Sequence, residues 1–227
     1  MCLCGENIIA NFLTTKKQRQ KGFTKDYTFY ILDSKINIAI FASGGGSNAE
    51  ALMKYFEHHS KIRIALVVTN VETAGVIAKA EQFGIPTKYI AKKYFIDEEI
   101  ISTLLSDFNI NYIVLAGFLL LIPTYLIEAF EKRIFNIHPA LLPAFGGKGM
   151  YGANVHTAVA TAKAKITGIT IHFCNAHYDE GGIIFQAACK VSETDSPEDI
   201  ARHVLKLEHA YYAMTIERVI LRNLVGF

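Results

Sequence analysis

Short apolar runs alternating with segments of helical periodicity predict an α/β fold, with a mostly parallel central sheet, helices on both faces and a late antiparallel strand pair. Three observations carry that prediction. The runs Ile36–Phe41, Ile62–Val68 and Tyr112–Ala116 are apolar almost throughout, as strands covered on both faces are. Most of the strand runs are followed by a helix-period stretch. Between the first strand and the first helix stands Gly44-Gly45-Gly46, where Rossmann-like folds turn from strand into helix.

In chain order, Ile36–Phe41 is the first strand and a helix follows from about Asn48 to His59. Ile62–Val68 is the second strand, and Thr73–Phe83 a helix closed by Gly84-Ile85-Pro86. A short strand near Lys88–Ile90 precedes a helix over Ile96–Phe108. After the strand Tyr112–Ala116, Pro123–Glu131 reads as a short helix. The next strand carries Asn136 and ends at Pro139, which has no N–H to give a ladder. Ile166–Cys174 and Ile183–Val191 form the late pair. Ser196-Pro197-Glu198-Asp199 opens the last helix with a cap, a proline at the first position and acids in the first turn. Along it Ile200, Val204, Leu207, Tyr211 and Met214 recur at helical spacing, the pattern of a core face. Residues 36–227 thus read as one domain. Residues 1–35 read as an irregular amino-terminal extension, polar and basic over Thr14–Lys25, with one apolar patch at Tyr27–Leu32.

Composition narrows the function. The chain has 227 residues, 51% of them hydrophobic, which suits a real core and excludes a disordered chain. Net charge is +2, but residues 1–35 hold six Lys or Arg against three acids. That leaves 17 basic and 18 acidic residues in the remainder, so no basic face suits a long nucleic acid. Cys2, Cys4, Cys174 and Cys189 make no disulfide framework, and a reducing cytoplasm is the expected setting. Cys2-x-Cys4 lacks a second ligand pair, so no metal is expected. No apolar run approaches the roughly 20 residues of a membrane span. Met1–Ala10 lacks the basic start and long apolar centre of a signal peptide.

Asn136-Ile137-His138-Pro139 is the most informative stretch. Side chains alternate along a strand, so Asn136 and His138 share one face at its carboxyl end. An amide can hold a developing oxyanion while an imidazole shuttles a proton, which is what acyl-type transfer requires. The glycine run is a second candidate. Ser43-Gly44-Gly45-Gly46-Ser47-Asn48 enters a helix, whose free N–H groups and dipole favour an anion. It lacks the Gly-Lys-Ser/Thr of a Walker loop, and Thr69-Asn70 replaces the acid of a dinucleotide site. A monophosphate is the better match. A tight turn with a Ser47–Glu50 capping box is the structural alternative.

Taken in order, GGGSN, LAGF (Leu115–Phe118), NIHPALLP (Asn136–Pro143), GITIHF (Gly168–Phe173), YDEGGII (Tyr178–Ile184) and Glu208-His209 resemble the phosphoribosylglycinamide formyltransferases. These are folate-dependent enzymes of purine synthesis, and the resemblance covers about residues 36–225. It implies transfer of a formyl group from 10-formyltetrahydrofolate to glycinamide ribonucleotide, without a metal, by a monomer or weak homodimer. It implies that His138 is the general acid/base, Asn136 the donor to the formyl oxygen, and Asp179 the carboxylate that supports the charged imidazole. Gly46, Ser47 and Asn48 match the ribose-phosphate contacts, and Glu208 the ribose contact. Leu119, Leu120, Leu121 and Ile122 match the edge that lines the folate pocket through backbone groups. A carboxylate near an imidazole raises its pKa, which agrees with those roles.

Two positions depart from the family pattern. Leu120 and Leu205 stand where relatives often carry a basic residue, and Lys206 is rotated by about 200° from Glu208 on a helix. Lys148, within the glycine-rich stretch Ala144–Asn154, is a candidate for the missing phosphate-side cation. Among the other histidines, His156 is a candidate to line the site and His172 a candidate bond partner within it. The rivals are methionyl-tRNA formyltransferase, which needs a further domain and a basic tRNA surface, and formyltetrahydrofolate hydrolase, which carries an amino-terminal regulatory domain. A non-catalytic nucleotide-binding module would need the glycine loop but not Asn136, His138 and Asp179 together.

Overall fold

β1 (Ile36–Phe41) pairs in parallel on one side with β2 (Ile62–Thr69) and on the other with β4 (Tyr112–Leu115). The computed structural model describes residues 35–225. The extension expected over residues 1–35 lies outside them save for Lys35, as do its Tyr27–Leu32 patch and Cys2 and Cys4. β3 (Thr87–Tyr89) joins β2 in parallel, and β5 (Ile134–His138) joins β4 in parallel. β6 (Ile166–Phe173) and β7 (Ile183–Lys190) then add antiparallel strands. The sheet order is β3-β2-β1-β4-β5-β6-β7. The mostly parallel sheet and the late antiparallel pair agree with the sequence reading.

Alternation of side chains divides the core. Ile38, Ile40, Val114, Phe135, Ile137, Ile169 and Ile171 pack on one face with α1 (Ser47–Phe56), α2 (Val76–Gln82), α5 (Ala153–Thr161) and α6 (Pro197–Val225). Ala39, Phe41, Leu66, Val68, Ile113, Leu115 and Ile134 pack on the other with α3 (Glu98–Asp107) and α4 (Thr124–Ala129). Asn136 and His138 alternate with the first set and belong to the α3–α4 face. Their partners across the antiparallel ladder are His172 and Thr170. A polar quartet therefore occupies this face of β5 and β6. Pro139 ends β5 as its missing N–H requires.

Two differences from the sequence reading bear on the site. Helix α5 was not expected, because glycines precede it and its Val155–Val159 spacing is only one turn. In α6 the buried line runs Ile200, Val204, Glu208, Tyr212, Ile216, Ile220, at a strict interval of four. Leu207, Tyr211 and Met214, expected on the core face, are only half-buried. An interval of four drifts by about 40° per step around a helix, and Glu208 is the one charged member of that ridge. The fully buried Tyr212 places its hydroxyl 2.8 Å from the Leu115 carbonyl and 3.2 Å from that of Phe135. It thereby ties α6 to the carboxyl ends of β4 and β5, next to Asn136.

β1 leads to β2 on one side while β4 leads to β5 on the other. The crevice between β1 and β4 is the topological switch point, where open α/β sheets take their ligands.

Candidate active site

The loop after β1 is shaped by Gly46. Its φ is +72°, and a Cβ there would lie 2.8 Å from the Cβ and Cγ2 of Val76. Backbone and space both require glycine. Its carbonyl receives Glu50 N–H at 2.9 Å, but no side chain caps α1. The Ser47–Glu50 capping box, the structural alternative to an anion site, does not form. Glu50 instead pairs with Lys79 of α2, and a left-handed Gly46 enters the helix directly. The first-turn amides of α1 remain without a side-chain acceptor, as an anion site needs.

Asn48, in that turn, donates from Nδ2 to Glu208 Oε2 at 2.8 Å, while its own buried Oδ1 has no partner. Glu208 is 9% exposed, and burial pushes its carboxyl up, with the Asn48 bond opposing. Ser43 links the loop to the next wall. Its Oγ donates to Asn70 Oδ1 at 2.6 Å and accepts from Leu119 N at 2.9 Å. The polar Asn70, which argued against a dinucleotide site, thus positions the edge after β4. No motif pointed to this bridge.

At β5, His138 is 3% exposed. Its Nε2–H donates to the Phe145 carbonyl at 2.8 Å, and its Nδ1 lies 3.4 Å from Asp179 Oδ2. A carbonyl only accepts, so the neutral ring carries its proton on Nε2 and keeps Nδ1 bare. Asp179 is no solvated turn residue. Its side chain is 12% exposed, its φ is +58°, and Gly147 N–H donates to Oδ2 at 2.9 Å. The expected upward pull of Asp179 on His138 is present, but burial is larger and the net direction is down. The imidazole is held neutral more firmly than the sequence suggested, because desolvation penalises the cation.

His172 orders the pair further. Its Nδ1–H donates to the Phe173 carbonyl at 2.9 Å, leaving Nε2 to accept from Asn136 Nδ2 at 3.1 Å. One Asn136 hydrogen is used in this way and the second is left over. Burial lowers the pKa of His172, which keeps Nε2 an acceptor.

These groups meet in a cleft of about 680 Å³. Asn136, His138, Asp179, Asn48, Glu208, Leu119–Ile122, His156, His172 and Lys148 all line it. Gly46 and Ser47 do not; Ser47 is exposed on α1, and Gly44 is the loop glycine on the wall. Leu119 and Leu121 are exposed, Leu120 packs towards the α3–α4 core, and Ile122 is buried. His156 is buried, with Nδ1 unpartnered and its pKa lowered by burial and then by His138. Lys206 is exposed and outside the cleft wall. Among the described residues, no group of three or more His, Cys, Asp or Glu has a metal-site arrangement. No helix of the described residues is long and apolar enough to cross a membrane.

A switch-point crevice with an anion loop at one end and an amide–imidazole–carboxylate cluster at the other defines a group-transfer site built for a carbonyl centre. The chain belongs to the formyl transferase family, whose model matches residues 36–216. It is 42% identical over 185 residues to the chloroplastic phosphoribosylglycinamide formyltransferase of Arabidopsis thaliana, covering 79% of this chain and 63% of that one. To the phosphoribosylglycinamide formyltransferase of Bacillus subtilis it is 36% identical, over 82% of this chain and 95% of the relative. The crystal structure of the Anaplasma phagocytophilum phosphoribosylglycinamide formyltransferase superposes with a TM-score of 0.74 at 34% identity, covering 81% and 86% of the two chains. The chain spans less than two thirds of the length of the Arabidopsis relative.

Proposed function

We propose that this protein transfers the formyl group of 10-formyltetrahydrofolate to the amine of glycinamide ribonucleotide, a step of de novo purine biosynthesis. The observation that carries the reading is the convergence of Asn136, His138 and Asp179 in one cleft with Asn48 and Glu208. The family membership and the names of the relatives support the same substrates. Asn48, on the cleft wall, holds the phosphate together with the amides of Gly46 and Ser47, which lie just beyond that wall at the amino end of α1, and Glu208, steadied by Asn48, accepts from ribose hydroxyls. Leu119, Leu120, Leu121 and Ile122 offer backbone groups and apolar surface to the folate ring.

Asn136 gives the formyl oxygen the hydrogen that His172 does not use. His138 takes up the proton at Nδ1, where Asp179 stabilises the charged ring, and only in that charged form supplies a second contact to the oxyanion. A new C–N bond forms to the ribonucleotide amine, and the C–N bond to the folate nitrogen breaks. The amine's proton is relayed through His138 and an Asp179-held water to the folate nitrogen.

Residues 36–227 are the formyltransferase domain in this reading, and residues 1–35 an extension. Its partners are these two small molecules, with no nucleic acid, and it acts as a monomer or weak homodimer, which sedimentation tests. We place it in the cytoplasm. The chloroplastic Arabidopsis relative makes the plastid the rival, and imaging of the full chain fused at its carboxyl end to a fluorescent protein decides between them.

Absorbance at the deformylated folate, with and without glycinamide ribonucleotide, tests the reaction. Release that needs the ribonucleotide is expected. Equal release without it would make the protein a hydrolase, and none in either case would leave a nucleotide-binding module.

A further inference from the structure

One short loop holds both halves of the proton-transfer pair. The Phe145 carbonyl receives His138 Nε2–H at 2.8 Å, and Gly147 N–H donates to Asp179 Oδ2 at 2.9 Å. The next residue, Lys148, is the sole lysine or arginine on the cleft wall among the described residues. It stands between Gly147 (φ +95°) and Gly149 (φ +89°), and a Cβ at either glycine would meet nothing within 4 Å. Left-handed backbone rather than crowding requires glycine on both sides, and this leaves the lysine on an open turn. Met150 N–H closes that turn on the Gly147 carbonyl at 3.0 Å.

The charges are unevenly committed. Glu208 is engaged by Asn48, and Asp179 by Gly147 and His138. Lys148 is exposed and, among the described residues, has no carboxylate at ion-pair distance. Both substrates of the proposed reaction are anionic at an end remote from the reacting atoms, one through a phosphate and the other through glutamate carboxylates.

We propose that Lys148 binds anionic oxygens at the remote end of one substrate, phosphate or folate carboxylate, and so sets the loop groups that position His138 and Asp179. The inference rests on the formyl-transfer reading. It makes Lys148 a binding residue whose contact also reaches the chemistry. Binding energy gathered away from the reacting atoms then orders the catalytic pair, which raises turnover as well as affinity.

The test compares wild type, Lys148→Ala and Lys148→Arg. Four substrates are used: glycinamide ribonucleotide, its dephosphorylated riboside, 10-formyltetrahydrofolate, and the formyl pteroate lacking glutamate. In Lys148→Ala, KM for one full substrate should rise about tenfold, the scale of a lost charged hydrogen bond, and kcat should fall several-fold. Lys148→Arg should stay near wild type. The KM loss should vanish with the truncated form of that substrate, which identifies the group bound. Values within twofold of wild type throughout, or a loss that persists with both truncated substrates, would overturn the inference. A KM change with unaltered kcat would overturn the link to the catalytic pair. Calorimetry with the full substrates runs in parallel. A wild type that binds both but transfers no formyl group refutes the proposed function while the Lys148 contact is still measured.

Discussion

His138 Nδ1 stands 3.4 Å from Asp179 Oδ2 while Nε2–H is committed to the Phe145 carbonyl, so a single ring nitrogen is left to gain or lose a proton. Burial pulls the imidazole towards neutrality and Asp179 pulls it back. A base poised in this way accepts a proton only when the reaction makes charge nearby.

His138→Ala and Asp179→Asn should each lower turnover by about a hundredfold or more with the fold intact, if both act in proton transfer as proposed. Asn136→Ala should cost a comparable factor through the lost oxyanion donor. Steady-state assays with circular dichroism read both quantities. Near-normal turnover in the His138 variant would sink the assignment.

His172 should matter through Asn136 rather than by touching substrate. His172→Phe removes the acceptor at Asn136 Nδ2 and should lower kcat about tenfold with little change in either KM. His172→Gln, which keeps an acceptor, should recover part of the loss. Equal damage in the two variants would mean that the ring serves packing alone.

Gly46 and Gly44 should separate shape from space. Gly46→Ala meets both a left-handed φ and the Val76 side chain, so it should destabilise the fold by about 1–3 kcal/mol and weaken ribonucleotide binding. Gly44→Ala has open space and should leave the melting temperature within a few degrees. Chemical denaturation and calorimetry decide, and similar stabilities for the two would refute the argument.

Stability should fall on mild acidification. His138, His156 and His172 are all lowered from the ordinary 6.5 by burial, so the unfolded chain takes up their protons first as pH falls. Their stabilising contribution is full above about pH 6.5 and is lost as pH drops through the lower folded values. Glu208, raised by burial, acts in the opposite direction. The melting temperature should therefore drop between pH 7.5 and 5.5, and less steeply in His156→Phe. An unchanged slope in that variant would show that His156 takes up no differential proton.

A chain beginning at Lys35 should fold and retain formyl transfer, because every proposed site residue lies beyond it. Unfolding, or a loss of substrate affinity, would make residues 1–34 part of the working structure.

Local chemistry decided what the sequence determined alone. Continuous apolar runs had to become strands covered on both faces, and Pro139 had to end β5 with Asn136 and His138 on one side. Strand ends fell within a residue or two of expectation because glycines and prolines punctuate the backbone where they stand. The motif order also told which family the cleft serves. Tertiary structure decided the rest. Whether Glu50 would cap Ser47 or pair with Lys79 depended on α2 lying beside α1. The protonation of His138 depended on how deeply the sheet and the Phe145 loop bury it, a desolvation that no spacing reveals. The partners of Asn136 and Ser43, namely His172, Asn70 and Leu119, come from other strands and loops, and only the closed sheet brings them within hydrogen-bond reach. Sequence period sets which face a side chain takes, whereas burial and partners depend on which segments the fold lays against that face.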